Sequence, residues 1–322
     1  MPNTGIFGLG FWEIKLNTSA SLLFSPSITT VFSVSRSSRS LRCFTALHEA
    51  KSKVNPKIND IFVRVWAKGS LFLNFKNRII LISKSEIKLI TSLQQKKYRA
   101  KHGLFIAEGK KIIADLLNAG VVLHTLFATE DVSKLHPNYR SLSETELNKI
   151  STLKNSNGVL ALFEIPKQLP VKSNGLQLVL DSVRDPGNLG TIIRLCDWFG
   201  VEQLICSPDT VDCYNPKVIQ ATMGSIARVH VVYTDIAEFL TQTYLPIYAA
   251  VMEGENVYEI PLPNDAVLVM GNEGNGITEA ILALISNKVS IPNFSKNTAA
   301  ESLNVAMATG ILLSEFRRVT GT

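Results

Sequence analysis

The chain has 322 residues, 46% of them hydrophobic, and a net charge of +6 at pH 7, which suits a soluble globular protein of two ordinary domains. It contains no run of about 18 uninterrupted apolar residues, so no segment is expected to cross a membrane. The four cysteines, Cys43, Cys196, Cys206 and Cys213, offer neither a CxxC pair nor zinc spacing with histidine, and reduced thiols in a cytosol-like compartment are expected.

The charge is unevenly spread. Residues 1–82 hold 11 Lys/Arg against 3 Asp/Glu, whereas the remainder holds 22 against 24. Residues 15–45 are rich in Ser and Thr, lack acids and include Arg36, Arg39 and Arg42, while 61–82 are apolar without clean periodicity. An organelle transit peptide has this composition. The other readings of 1–82 are an extension of uncertain order and a start codon assigned too far upstream, and these two are preferred.

Regular organisation begins at Ser83. Ser83 or Ser85 can cap a helix whose apolar positions Ile87, Ile90 and Leu93 follow helical spacing. "GLFIAEG" at 103–109 is a predicted strand, and "KKIIADLLNAG" at 110–120 an amphipathic helix closed by Gly120. Predicted strands at 122–129 and 158–166 flank a capped helix at 143–150, which makes 83–166 a small α/β unit. Between Lys84 and Lys111 stand eight basic side chains, among them Lys96, Lys97, Arg99 and Lys101, against only Glu86 and Glu108. Such a patch can meet a phosphate backbone; its plain alternative is a solvated helix face. The stretch "PKQLPVKSNG" at 166–175 holds two prolines and a glycine between apolar strands, and 167–174 within it reads as an interdomain linker.

From 175 to 322 the strand signals are "LQLVLD" (176–181), "QLICS" (203–207), "ARVHVVY" (227–233), "PIYAAV" (246–251), "AVLVMG" (266–271) and "KVSIP" (288–292). Helical patterns between most of them predict a parallel sheet covered on both faces. A dinucleotide fold would need GxGxxG directly after the first strand. Here Gly187 and Gly190 make only GxxG, and Gly271, Gly274 and Gly276 make GxxGxG late in the domain, so a nicotinamide or flavin enzyme is disfavoured.

Three segments at strand ends combine glycine or proline with polar groups that are costly to bury without a purpose: "DSVRDPGNLGTIIR" (181–194), "VMGNEGNGI" (269–277) and "VSIPNFSKNTAAESLNVA" (289–306). In order, spacing and residue type they resemble the three motifs of the SpoU (TrmH-like) family of RNA ribose 2'-O-methyltransferases, of the SPOUT superfamily. The resemblance covers roughly residues 83–320. It implies an α/β fold whose parallel sheet ends in a C-terminal trefoil knot, an exception to unknotted chains. The preceding small α/β domain is similar to a ribosomal-protein RNA-binding module. Many bacterial relatives begin with a segment like "LISKSEIKLITSLQQKKYR" at 81–99, which is why 1–82 is set apart.

The resemblance also implies roles. S-adenosylmethionine is the methyl donor, with Gly271, Ile291 and Leu303 at cofactor-contacting positions; Ile291 and Leu303 would equally suit any core. Asn188 and Arg194 fill the first motif, Glu273 the second, Ser302 and Asn304 the third, and these five are the candidate catalytic residues. A guanidinium is effectively always protonated, so Arg194 is better suited to gripping a phosphate and stabilising a developing alkoxide than to acting as a free base. Glu273 would orient Arg194 or pair with Asn188, and Ser302 and Asn304 would donate hydrogen bonds to substrate or to motif loops. Plain alternatives are a surface arginine for Arg194 and an exposed loop acid for Glu273. Glu301 stands where many relatives place a small or hydroxyl residue.

The reaction requires no metal, and RNA, ribosomal or transfer, is the expected partner because only RNA presents a 2'-hydroxyl. A homodimer is implied, for which the small residues Ala306, Ala308 and Gly310 of the last helix suit close packing; the competing reading is that this helix packs only within its own domain. The expected compartment is the cytoplasm, or an organelle if 1–82 includes a transit peptide. A non-catalytic RNA-binding or ribosome-assembly protein on the same fold is the second reading, against which the joint presence of Arg194, Glu273 and Asn304 argues.

Overall fold

The computed structural model describes residues 81–172, 174–295 and 302–318. Residues 1–80 of the expected extension, Glu301 and part of the third motif lie outside the described residues, and the expected knot is not directly shown.

Ser83 caps helix α1 (Lys84–Ser92): its hydroxyl accepts from the Glu86 amide at 3.2 Å, and the Glu86 carboxylate accepts from the Ser83 amide at 3.0 Å. This reciprocal box satisfies two donors that a helix start leaves orphaned. A hydrogen bond from the Arg140 guanidinium to the same carboxylate holds Glu86 down at about 2. The basic cluster forms helix α2 (Lys96–His102), ended by Gly103 at φ 64°. Strand β1 (Leu104–Glu108) leads to helix α3 (Lys110–Asn118), followed by β2 (Leu123–Ala128), β3 (Arg140–Ser141), helix α4 (Glu144–Ile150) and β4 (Val159–Glu164). The sheet order is β1-β4-β2-β3, with β4 antiparallel to both neighbours and β3 parallel to β2. Strand β1 is buried along its whole length because alternate residues feed two cores. Phe105 and Ala107 join Ile112, Ile113 and Leu116 of α3, while Leu104 and Ile106 join Ile90, Leu147 and Ile150 of α1 and α4.

The larger unit comprises β5 (Leu176–Leu180), α5 (Pro186–Phe199), β6 (Gln203–Cys206), α6 (Pro216–Thr222), β7 (His230–Tyr233), α7 (Ile236–Gln242), β8 (Ile247–Asn256), β9 (Ala266–Met270), α8 (Glu279–Leu282), β10 (Asn287–Ser290) and α9 (Val305–Arg318). Its six strands are all parallel, in the order β10-β8-β9-β5-β6-β7. Leu178, Leu204 and Leu268 face a core shared with α5 and α9, and Val179, Ile205, Val267 and Val269 face one shared with α7 and α8. Burial on both faces is why these strands read as continuous apolar runs.

Two boundaries differ from the sequence reading. Strand β7 starts at His230 rather than Ala227, because Met223 and Gly224 both take positive φ and Ser225–Ala227 form a 3-10 turn. Strand β8 continues to Asn256, and at Gly254 a Cβ would lie 2.8 Å from Lys288 and Val289 backbone carbons, so the missing side chain lets β10 close in.

The linker is pinned to the sheet. Gln203 accepts from the Lys172 amide at 2.7 Å and donates to the Pro170 carbonyl at 2.8 Å, and Gln177 donates to the Lys172 carbonyl at 2.5 Å. Both glutamines are buried at the starts of central strands. The two units also share apolar surface: Ile219 of α6 is buried in the core around Phe105, and the Tyr214 ring lies 4.8 Å from the Phe105 ring.

Candidate active site

The carboxyl ends of β5 and β9 carry the first two motifs. Asp181, just past β5, is buried and accepts from the Thr278 amide at 2.8 Å, which ties the first motif to the second. Ser182 takes φ 60°, unusual for a non-glycine residue. Its carbonyl accepts from Asn272 Nδ2 at 2.6 Å, and its amide donates to Ser207 Oγ at 2.9 Å. Asp185 then caps α5 by accepting from the Asn188 amide at 2.8 Å, with Pro186 at the first helical position.

Asn188 sits at the centre of a hydrogen-bonded chain that unites all three motifs. Its Nδ2 donates to Glu273 Oε1 at 3.0 Å, and its Oδ1 accepts from Asn304 Nδ2 at 2.9 Å. These partners are 85 and 116 residues away in sequence. Each end of the chain is itself anchored. Asn304 Oδ1 accepts from the amides of Ala306 and Met307, capping α9. Glu273 rides a tight turn in which Asn272 and Gly276 exchange backbone hydrogen bonds at 2.8 and 3.0 Å, while Asn272 Oδ1 accepts from the Gly274 amide at 2.9 Å. Gly276 takes φ 69°, and a Cβ on Gly271 would press closer than 3.0 Å onto the backbone of Gly276 and Ile277. Gly271 is therefore required by the turn itself, whatever else approaches it.

The remaining candidates distribute as follows. Arg194 is exposed on α5 and makes no hydrogen bond or ion pair among the described residues. Of the two expected partners of Glu273, the structure gives it Asn188 and not Arg194. Ser302 is exposed, Leu303 is 53% exposed beside Asn304, and Ile291 is half-buried against the larger core. Asn272, Asp181 and Ser182 were missed. The G-N-E-G-N-G composition signalled a turn with an asparagine bonding its own backbone, but nothing local marked Ser182 as its second partner.

Lys96, Lys97 and Lys101 are exposed on α2. Arg99 corrects the expectation of a fourth phosphate contact. It is 2% exposed, its Nη1 donates to the carbonyls of Leu93 and Gln94 at 2.8 and 2.9 Å, and its Nε and Nη2 both bind Asp212. On so short a helix one basic residue faces inward, and there a charge is tolerated only when paired.

Comparison with known proteins places these motifs. Residues 175–314 match the SpoU rRNA Methylase family, and residues 84–161 match the MRM3-like substrate binding domain. The chain is 27% identical over 234 residues to the 23S rRNA (guanosine(2553)-2'-O)-methyltransferase RlmP of Bacillus subtilis, covering 70% of this chain and 93% of that protein. A solved TrmH-family structure from Porphyromonas gingivalis superposes with a TM-score of 0.68 at 35% identity, covering 74% of this chain and 100% of that one. The AdoMet-bound rRNA methyltransferase from Sinorhizobium meliloti gives a TM-score of 0.68 at 29% identity, over 76% of this chain and 99% of that one. With the matched span running from β5 into α9, and so across the hydrogen-bonded chain of Glu273, Asn188 and Asn304, the protein belongs to the SpoU rRNA Methylase family.

Proposed function

We propose that this protein transfers a methyl group from S-adenosylmethionine to a ribose 2'-hydroxyl of ribosomal RNA. The observation that carries the reading is the Glu273–Asn188–Asn304 chain, set on the carboxyl edge of a parallel sheet with the Arg194 guanidinium, unpaired among the described residues, on the same helix as Asn188. Ligands of open α/β sheets bind at that edge.

The residues present suit the cofactor. The turn at 271–277 presents backbone groups, and Ile291 and Leu303 offer apolar side chains only partly covered by the protein. Gly271, Ile291 and Leu303 would hold S-adenosylmethionine, whose sulfonium supplies an electrophilic methyl group. What the chain must add is alignment of the 2'-oxygen and stabilisation of the charge it develops. Arg194, with no carboxylate to neutralise it among the described residues, is suited to an adjacent phosphate and to the developing alkoxide. Glu273, bonded to Asn188 at 3.0 Å, acts by orienting that amide. Lys96, Lys97 and Lys101 give the RNA backbone a basic helix within the matched substrate-binding segment.

The test is to incubate the protein with ribosomal RNA and methyl-labelled S-adenosylmethionine, then hydrolyse with alkali. Methylation at the 2'-oxygen blocks cleavage, so label is expected in alkali-resistant dinucleotides. RNA binding without such products would favour the non-catalytic reading.

The active unit is proposed to be a homodimer. Trp198 of α5 and Met307 of α9 are exposed large apolar residues on two helices that pack together, and buried apolar surface drives such pairing. Sedimentation at micromolar concentration is expected to give twice the chain mass; a monomer would rule the pairing out. No helix among the described residues is long and apolar enough to cross a membrane. The proposed substrate puts the protein with ribosomes, in the cytoplasm or in an organelle.

A further inference from the structure

We propose that Arg99 and Asp212 are positioning residues: their ion pair sets the placement of the basic helix α2 relative to the Asn188 site, and through it the choice of nucleotide that is methylated. The proposal rests on the functional reading above.

Arg99 stands on the same helix as the exposed Lys97 and Lys101 but points inward. Its Nη1 bonds to the carbonyls of Leu93 and Gln94 fasten it to the turn between α1 and α2, and its Nε donates to Asp212 Oδ2 at 2.8 Å, across 113 residues of sequence. Asp212 lies in the loop between β6 and α6, and the other side of that loop is bonded to the end of β5 and to the first motif. Ser207 Oγ accepts from the Ser182 amide at 2.9 Å, Thr210 Oγ1 donates to the Leu180 carbonyl at 3.2 Å, and the Val211 amide donates to the Val183 carbonyl at 2.9 Å. Two residues beyond Val183, Asp185 caps the helix that carries Asn188.

The loop is held from a third direction as well. Tyr233 Oη accepts from the Cys213 amide at 2.7 Å and donates to the Val211 carbonyl at 2.6 Å. Burial pushes the Tyr233 phenol up, which favours the protonated form that donates to Val211. A path of hydrogen bonds, joined by the peptide link between Val211 and Asp212, therefore runs from α2 through Arg99 and Asp212 to Val211 and the first motif.

A buried ion pair is weak evidence for stability, because desolvation offsets its attraction; fixing one arrangement among several is a better-attested use. Here apolar packing already joins the two units through Ile219 and Tyr214. Apolar contacts hold surfaces together without dictating orientation, whereas a guanidinium bonded on three sides admits one geometry.

The experiment compares the full-length wild type with Asp212→Ala, Asp212→Asn and the Lys96, Lys97, Lys101 triple alanine. Methylation is mapped nucleotide by nucleotide on ribosomal RNA, alongside S-adenosylmethionine affinity and the salt dependence of RNA binding. For Asp212→Ala the ratio of methylation at the wild-type target to that at neighbouring riboses is expected to fall about tenfold, with cofactor affinity and salt slope unchanged. Asp212→Asn, which keeps an acceptor for Arg99, is expected to retain part of the ratio, and it serves as the test variant if the alanine protein does not fold. The lysine variant is expected to keep the ratio while the salt slope drops by about 0.7 to 0.9 for each phosphate that is no longer neutralised. Wild-type selectivity in both Asp212 variants would overturn this proposal alone. So would a loss of RNA affinity and salt slope like that of the lysine variant. Absence of methyl transfer by the wild type would instead overturn the functional reading, and this proposal with it.

Discussion

Replacing Arg194 by alanine is expected to lower the rate of methyl transfer by about 10²- to 10⁴-fold, the range for loss of a positioned catalytic group. The side chain is exposed on α5 and pairs with nothing among the described residues, so its removal leaves no buried partner unsatisfied. Surface substitutions of that kind usually change stability by no more than about 0.5 kcal/mol. The loss should therefore appear in single-turnover rates at saturating RNA, with the unfolding temperature and S-adenosylmethionine affinity close to wild type. A parallel fall in cofactor affinity or thermal stability would reassign Arg194 to a structural role.

Gly271→Ala is the second large effect. The added Cβ would press onto backbone atoms of Gly276 and Ile277, and backbone, unlike the end of a side chain, has no rotamer by which to withdraw. The turn must open, at about 1 to 3 kcal/mol for overpacking of this kind. Opening it moves Asn272, whose side chain holds both the Ser182 carbonyl and the Gly274 amide, and with it Glu273 and Asn188. A fall in S-adenosylmethionine affinity of at least about tenfold is expected by calorimetric titration, a loss of roughly 1.4 kcal/mol or more. Gly274→Ala is the control: its Cβ would meet only Asn272 Oδ1, at 3.6 Å, and should be tolerated. Wild-type cofactor affinity in Gly271→Ala would separate this turn from the cofactor site.

Much of the fold was legible because it depends on local pattern. Strands β5 and β9 announce themselves as short apolar runs bounded by glycine or polar residues. Ser83 with Glu86 three residues on marks a helix start whatever the tertiary context. The three motifs were legible for the same reason: each is a contiguous strand-end segment of 9 to 18 residues whose glycines, caps and polar groups are read together.

The structure decided what depends on which distant group faces which. A basic run on a helix looks alike residue by residue, and only the approach of Asp212 across 113 residues makes Arg99 an interior ion pair while Lys97 and Lys101 stay in water. Glu273 had two sequence-compatible partners, and the packing of the β9 turn against the start of α5 selected Asn188. Nothing in the sequence singles out Gln177 or Gln203, and only the fold sets the linker amide and carbonyls that their buried side chains bond. Periodicity tells which side of an element is buried on average; the partner of one buried polar atom is set by three-dimensional proximity, because that atom must find a hydrogen bond wherever the fold brings one within reach.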